Sequence, residues 1–155
     1  MSSFGAEIVW TRSESETFTD RRYSRGHVWR FDGGVEVPAS SSPHIVPLPY
    51  SVEANVDPEE AFVAALSSCH MLFFLHFASD SGQVVNSYSD QATGEMATID
   101  GKTMITKVTL KPNVTYGGNA PAADLESDLH HRAHEACFLA NSVKTEITVE
   151  PVLKP

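Results

Sequence analysis

Residues 57–82 read DPEEAFVAALSSCHMLFFLHFASDSG, and the fold turns on how this stretch is read. It opens as helices open. Asp57 is a capping residue, Pro58 suits the first turn, and Glu60 stands where it returns a reciprocal capping contact. Asp80-Ser81-Gly82 closes it, so a helix is expected from about Pro58 to about Ser79. No charged residue falls between Ala61 and Ala78, a length at the lower limit for a membrane span. Against spanning, Ser67-Ser68-Cys69-His70 interrupts the middle and neither Lys nor Arg flanks the run. The expectation is therefore a helix buried in soluble protein, apolar on nearly every side. One sheet of a small domain does not cover so much surface, and that points to a dimer.

Working outward, residues 7–13 (EIVWTRS) and 21–31 (RRYSRGHVWRF) read as strands, with Asp32-Gly33-Gly34 as a hairpin turn before VEVPAS. Ser40 to Tyr50 carries three prolines and reads as a loop. Beyond the helix, residues 84–99 and 103–116 alternate as strands around Asp100-Gly101, a second hairpin. A second helix is expected from about Pro121 to Ala140, where Leu125, Leu129, Ala133, Ala136 and Ala140 fall within an arc of about 80°. Residues 144–153 close the chain as a strand. Strands before, between and after two helices give an α+β fold with mainly antiparallel sheet.

The 155 residues suit a single domain over 1–155, large enough to bury a core without metal or disulfide staples. A net charge of −9 argues against nucleic acid or anionic membrane as a partner. The N-terminal MSSFGAEIVWTRS shows no secretory pattern. A cytoplasmic location is expected, where Cys69 and Cys137 stay reduced.

Three readings of these cysteines are open on the residues alone. Cys69 lies too far into its helix for the dipole to assist it, and an apolar setting disfavours a thiolate, so it can be core filling. Cys137 follows His130 and His134 at helical spacing, and with Cys69 these compose a four-ligand zinc set. Third, if the two helices pack, one thiolate can attack an oxidant and the other resolve the sulfenic acid as a disulfide. That chemistry requires a cation for the thiolate and a carboxylate to hold the cation.

DPEEAFVAALSSCHMLFFL and HHRAHEACFLANSVKTEITVE, with YSRGHVWRFDGG and the Ser-Pro element at Ser41 to Pro43, resemble the OsmC/Ohr superfamily of thiol-dependent peroxidases, nearer its OsmC-like branch. The resemblance implies an intertwined homodimer with sheet wrapped around two long central helices and a site at the subunit interface. It also implies reduction of organic hydroperoxides by a two-cysteine cycle in oxidative stress defence. On that resemblance Cys69 matches the peroxidatic cysteine, Cys137 the resolving cysteine, Glu59 the motif glutamate and Arg25 the arginine that pairs with the thiolate. Arg21, Arg22 and Arg30 are the alternatives to Arg25. Phe138 stands where many members have proline. Phe62, Met71, Phe73 and Phe138 are candidates for an apolar substrate pocket, with core packing as the alternative. No bound cofactor or metal is implied; the reductant is an external dithiol or lipoylated protein. A zinc-binding protein or hydrolase and a non-catalytic binding module are the rival functions. In a continuous helix Glu59 and Cys69 stand about 15 Å apart, so they are expected to meet only between two subunits.

Overall fold

The computed structural model describes residues 1–154. The chain forms two compact units, one from Met1 to Ala61 and one beginning at Phe62.

In the first unit, β1 (Ala6–Val9), β2 (His27–Phe31) and β3 (Glu36–Ala39) make an antiparallel sheet in that order. The β2–β3 hairpin turns at Asp32-Gly33-Gly34 as expected, with Gly34 in the left-handed region at φ 84°. The long second strand expected over 21–31 shortens to its last five residues. Residues 10–25 are committed elsewhere. Trp10, Phe18 and Tyr23 pack ring to ring at 4.6–6.0 Å, and the Glu16 carboxylate accepts the backbone N–H of Ser24 at 3.0 Å. The proline-rich loop returns beside β3, where Ser40 donates its N–H to Val56 O and Val56 donates to Pro38 O.

The helix expected at residues 58–79 is α1 (Pro58–Asp80). Its reciprocal cap is formed: Glu60 N–H donates to Asp57 Oδ1 at 2.8 Å and Asp57 N–H to Glu60 Oε2 at 3.2 Å. By length and composition α1 would also pass as a membrane span, yet from Phe62 onward it packs on two sheets and a second helix. Leu66, His70, Phe74 and Ala78 are its buried stripe, four residues apart.

The two long strands expected on either side of Asp100-Gly101 each break in two. Residues 85–99 become β4 (Val85–Asp90) and β5 (Thr93–Ile99); residues 102–116 become β6 (Lys102–Leu110) and β7 (Pro112–Tyr116). β4 pairs with β7 in one antiparallel sheet, while β5 and β6 form the hairpin of another. Asp90 sits at the break, its carboxylate accepting Lys111 N–H at 2.6 Å and the Ser67 hydroxyl of α1 at 2.5 Å. The closing strand, β8 (Glu146–Val149), runs parallel to β6, a departure from the antiparallel pattern.

Two clusters fasten α1 to this frame. Leu66 packs with Val108 and Leu110 of β6, with Phe62 and Val63 at the margin. Phe74 and Ala78 pack with Val114 of β7 and with Leu129 and Ala133 of α2 (Ala123–Ala136). β5 approaches α1 so closely that a Cβ at Gly94 would lie 2.7 Å from Val63 Cγ2. Phe74 is fully buried, stacks on His130 at 4.3 Å and packs at a tilt against Tyr88 at 5.7 Å. Phe74→Ala is expected to cost about 3–5 kcal/mol, read as a lower urea midpoint with an unchanged slope.

Candidate active site

Cys69 stands one position before His70 and so at the margin of the buried stripe of α1, half-buried. Cys137 is 2% exposed and ends α2 rather than continuing it. Its backbone is extended, at φ −63° and ψ 113°, and a short 3-10 turn follows at Ala140–Ser142. The second helix was expected to reach Ala140. It stops earlier, and side chains from beyond its end fold back there: Asn141 Nδ2 donates to Glu135 O of the last turn at 3.0 Å, and Ser142 Oγ to Phe138 O, past the helix, at 2.6 Å. Ala140 N–H meets Cys137 Sγ at 3.4 Å.

The two free thiols are neighbours at this ending. Burial pushes the Cys137 thiol up to about 11, and neighbouring Cys69 adds to the rise. Cys137 is therefore a buried, protonated thiol, and Cys69 is the more open of the two.

The structure also assembles a group that the sequence did not single out. His70 Nε2 and His130 Nδ1 are 3.0 Å apart across α1 and α2, with the rings nearly coplanar at 6°. One ring must donate and the other accept. Whichever donates, the far nitrogens, His70 Nδ1 and His130 Nε2, supply one further donor and one further acceptor, and neither has a protein partner. Burial holds both imidazoles down to about 4, reinforced at His70 by the charges that His130 and His134 would carry. His134 lies one turn beyond His130 with its Nδ1 also unpartnered. His76 is on the open side of α1, 3.4 Å from Asp80.

The zinc set of Cys69, His130, His134 and Cys137 is not assembled: among the described residues no three His, Cys, Asp or Glu side chains converge as ligands, and His130 Nδ1 faces His70. Arg25 lies in the irregular segment before β2, not on a strand. Its guanidinium donates to Arg21 O at 2.7 Å and to Tyr23 O, and sits 3.7 Å over the Tyr23 ring. Among the described residues it forms no ion pair, so the bidentate contact with Glu59 is not made within one chain. Arg30, one alternative, is taken by Glu36 at 2.6 Å and Glu7 at 3.4 Å; Arg21 and Arg22 are exposed. α1 is unbroken between Glu59 and Cys69, which leaves them about 15 Å apart along its axis. Of the candidate pocket residues, Phe73 meets Phe138 edge to face at 4.9 Å, with Phe138 72% exposed. Phe62 packs on the Leu66 cluster instead, and Met71 is half-buried.

The histidine pair has a signature in pH. Above about 6.5, the ordinary imidazole value, both rings are neutral folded or unfolded. Below it the unfolded chain takes up protons that the folded chain refuses until about pH 4, so stability falls as pH drops through that window. The loss is expected to reach about 2–3 kcal/mol per imidazole at its lower end. His130→Phe should flatten the decline in urea midpoint between pH 7 and pH 4.5; a decline parallel to wild type would show that the pair does not cause it.

The OsmC-like protein family model matches residues 52–152. An OsmC-like protein of unknown function from Vibrio cholerae is 54% identical, with a TM-score of 0.95 over 98% of this chain and 100% of that one. An organic hydroperoxide resistance protein from Legionella pneumophila is 13% identical, with a TM-score of 0.71 over 99% and 100%. That of Bacillus subtilis is 20% identical, with a TM-score of 0.61 over 97% and 98%. At those identities the last two share the fold. A comparison with curated protein sequences gives no match. With the greater part of its length under the family model and a relative of such identity along nearly all of it, the chain belongs to the OsmC-like protein family.

Proposed function

We propose that this protein is a thiol-dependent peroxidase that reduces organic hydroperoxides through a two-cysteine cycle. The observation that carries the reading is the asymmetric thiol pair: a half-buried Cys69 neighbouring a buried, protonated Cys137. A peroxide reaches Cys69 first. Its thiolate attacks the distal peroxide oxygen; an S–O bond forms, the O–O bond breaks, and the leaving alkoxide takes a proton to become the alcohol. Cys137 then attacks the Cys69 sulfenic acid, forming the disulfide and releasing water. A dithiol or lipoylated protein returns both sulfurs to thiols by exchange. The fold shared with proteins named for organic hydroperoxide resistance supports the same reading.

The active form in this proposal is a cytoplasmic homodimer. α1 leaves Leu72 61% exposed, with Phe73 and Phe77 only half-buried, an apolar face that a second α1 would cover. Antiparallel pairing of the two helices carries Glu59 of one subunit toward Cys69 of the other. Arg25 stabilises the thiolate there, with Glu59 holding its guanidinium. Phe73 and Phe138 supply the apolar contact for the organic part of the peroxide.

Intact mass after one equivalent of cumene hydroperoxide tests the cycle. Wild type is expected to lose two hydrogens, Cys137→Ser to gain one oxygen and Cys69→Ser to stay unchanged. Wild type unchanged would reject the peroxidase and leave a binding module. Arg25→Ala should slow the reaction by about a hundredfold with the melting temperature unaltered; an unaltered rate would remove Arg25 from the site.

A further inference from the structure

A cavity of about 650 Å³ lies in the second unit, away from both thiols, and has two unlike walls. One is a single face of α2, where Glu126, Ser127, His130, His131 and His134 recur at helical spacing. The other is apolar, formed by Ile147 and Val149 of β8 and by Pro151, Val152 and Leu153 after it. Backbone bonds fix that second wall: Glu150 N–H donates to Leu110 O at 2.8 Å and Val152 N–H to Pro112 O at 2.9 Å. The volume is that of an ordinary small-molecule site.

The polar wall contains groups that want a ligand. His130 is 4% exposed and its Nε2 has no partner; His134 Nδ1, one turn on, has none either. Such buried orphans are costly to leave unmet. The one carboxylate on this wall, Glu126, is engaged by the Tyr116 hydroxyl at 2.8 Å. Lys154 also lines the cavity, its ammonium donating to Val114 O and lying 5.0 Å over the Tyr116 ring. In the tautomer in which His70 donates to His130, His130 Nε2 carries a free N–H; with the unpartnered His134 Nδ1 one turn on, it suits a carboxylate, and the opposite wall suits an alkyl chain.

We propose that this cavity binds a medium-chain aliphatic monocarboxylate, its carboxylate on the imidazoles of His130 and His134 and its chain along Ile147, Val149 and Val152. The site is separate from the thiol pair, and binding does not rest on the peroxidase reading. Its donors come from the helix that carries Cys137 at its end, and its apolar wall from the strand beside β6.

The probe is octanoate, titrated into the intact protein by calorimetry and followed at the imidazole ¹H–¹⁵N resonances. One octanoate per chain is expected, moving the His130 and His134 resonances. Acetate should bind about a hundredfold more weakly, for want of the chain, and octylamine not at all. His134→Phe should weaken octanoate by about tenfold. Val152→Asp, an exposed position, should weaken it at least as much by placing a like charge beside the chain. The Cys69→Ser, Cys137→Ser double variant should bind as wild type does. Equal binding of octylamine, still imidazole resonances, or loss of binding in the double serine variant would each overturn the assignment.

Discussion

Leu66, His70, Phe74 and Ala78 repeat every four residues along α1, and the burial of that stripe organises the whole second unit. Its first half lies on the β5–β6–β8 sheet through Leu66, and its second half on β4–β7 and α2 through Phe74 and Ala78. One helix thus serves two sheets that share no strand. The hydrophobic effect alone would tolerate some rotation of α1 about its axis, since nearly every face is apolar. Polar contacts remove that freedom. Ser67 reaches Asp90 at the break between β4 and β5, and His70 reaches His130 on α2. A rotation of one residue step, about 100°, would strand both.

This rotational setting decides what Cys69 meets. Standing next to His70, it is turned partly out of the stripe and toward the end of α2. There the helix has ended, Asn141 folds back on Glu135 O, and Cys137 is in extended backbone. Had α2 continued through Ala140, Cys137 would have kept helical backbone and a different exit for its side chain. The two thiols therefore meet because of two unrelated local events, the phase of one helix and the early end of another.

Those events also mark where the sequence was legible. The Asp57–Glu60 cap, the Asp32-Gly33-Gly34 turn and the Asp100-Gly101 turn are local chemistry, and each appears where its residues predict it. The breaks at residues 91–92 and at Lys111 are invisible to alternation, because the pattern runs on across them; Asp90, beside the first, meets the second only through a contact 21 residues away in sequence. The Phe138–Ala140 stretch favours helix, and only Asn141 and Ser142, folding back, say otherwise. The parallel pairing of β8 with β6 leaves no mark in a four-residue strand. His70 and His130 had a signal that spacing offered: one sits four residues from Leu66 and from Phe74, the other beside Leu129, both at core phase. Histidine at core phase on two helices is a reason to look for a pair.

The pair bears on the thiols in a further way. An imidazole held neutral by burial contributes no positive field, so His70, although next to Cys69 in sequence, does little to favour a thiolate near neutral pH. Cys137 is likewise pushed toward its protonated form. The histidine pair therefore serves the contact between α1 and α2, through the 3.0 Å bond of His70 to His130, and not the charge of the sulfur beside it.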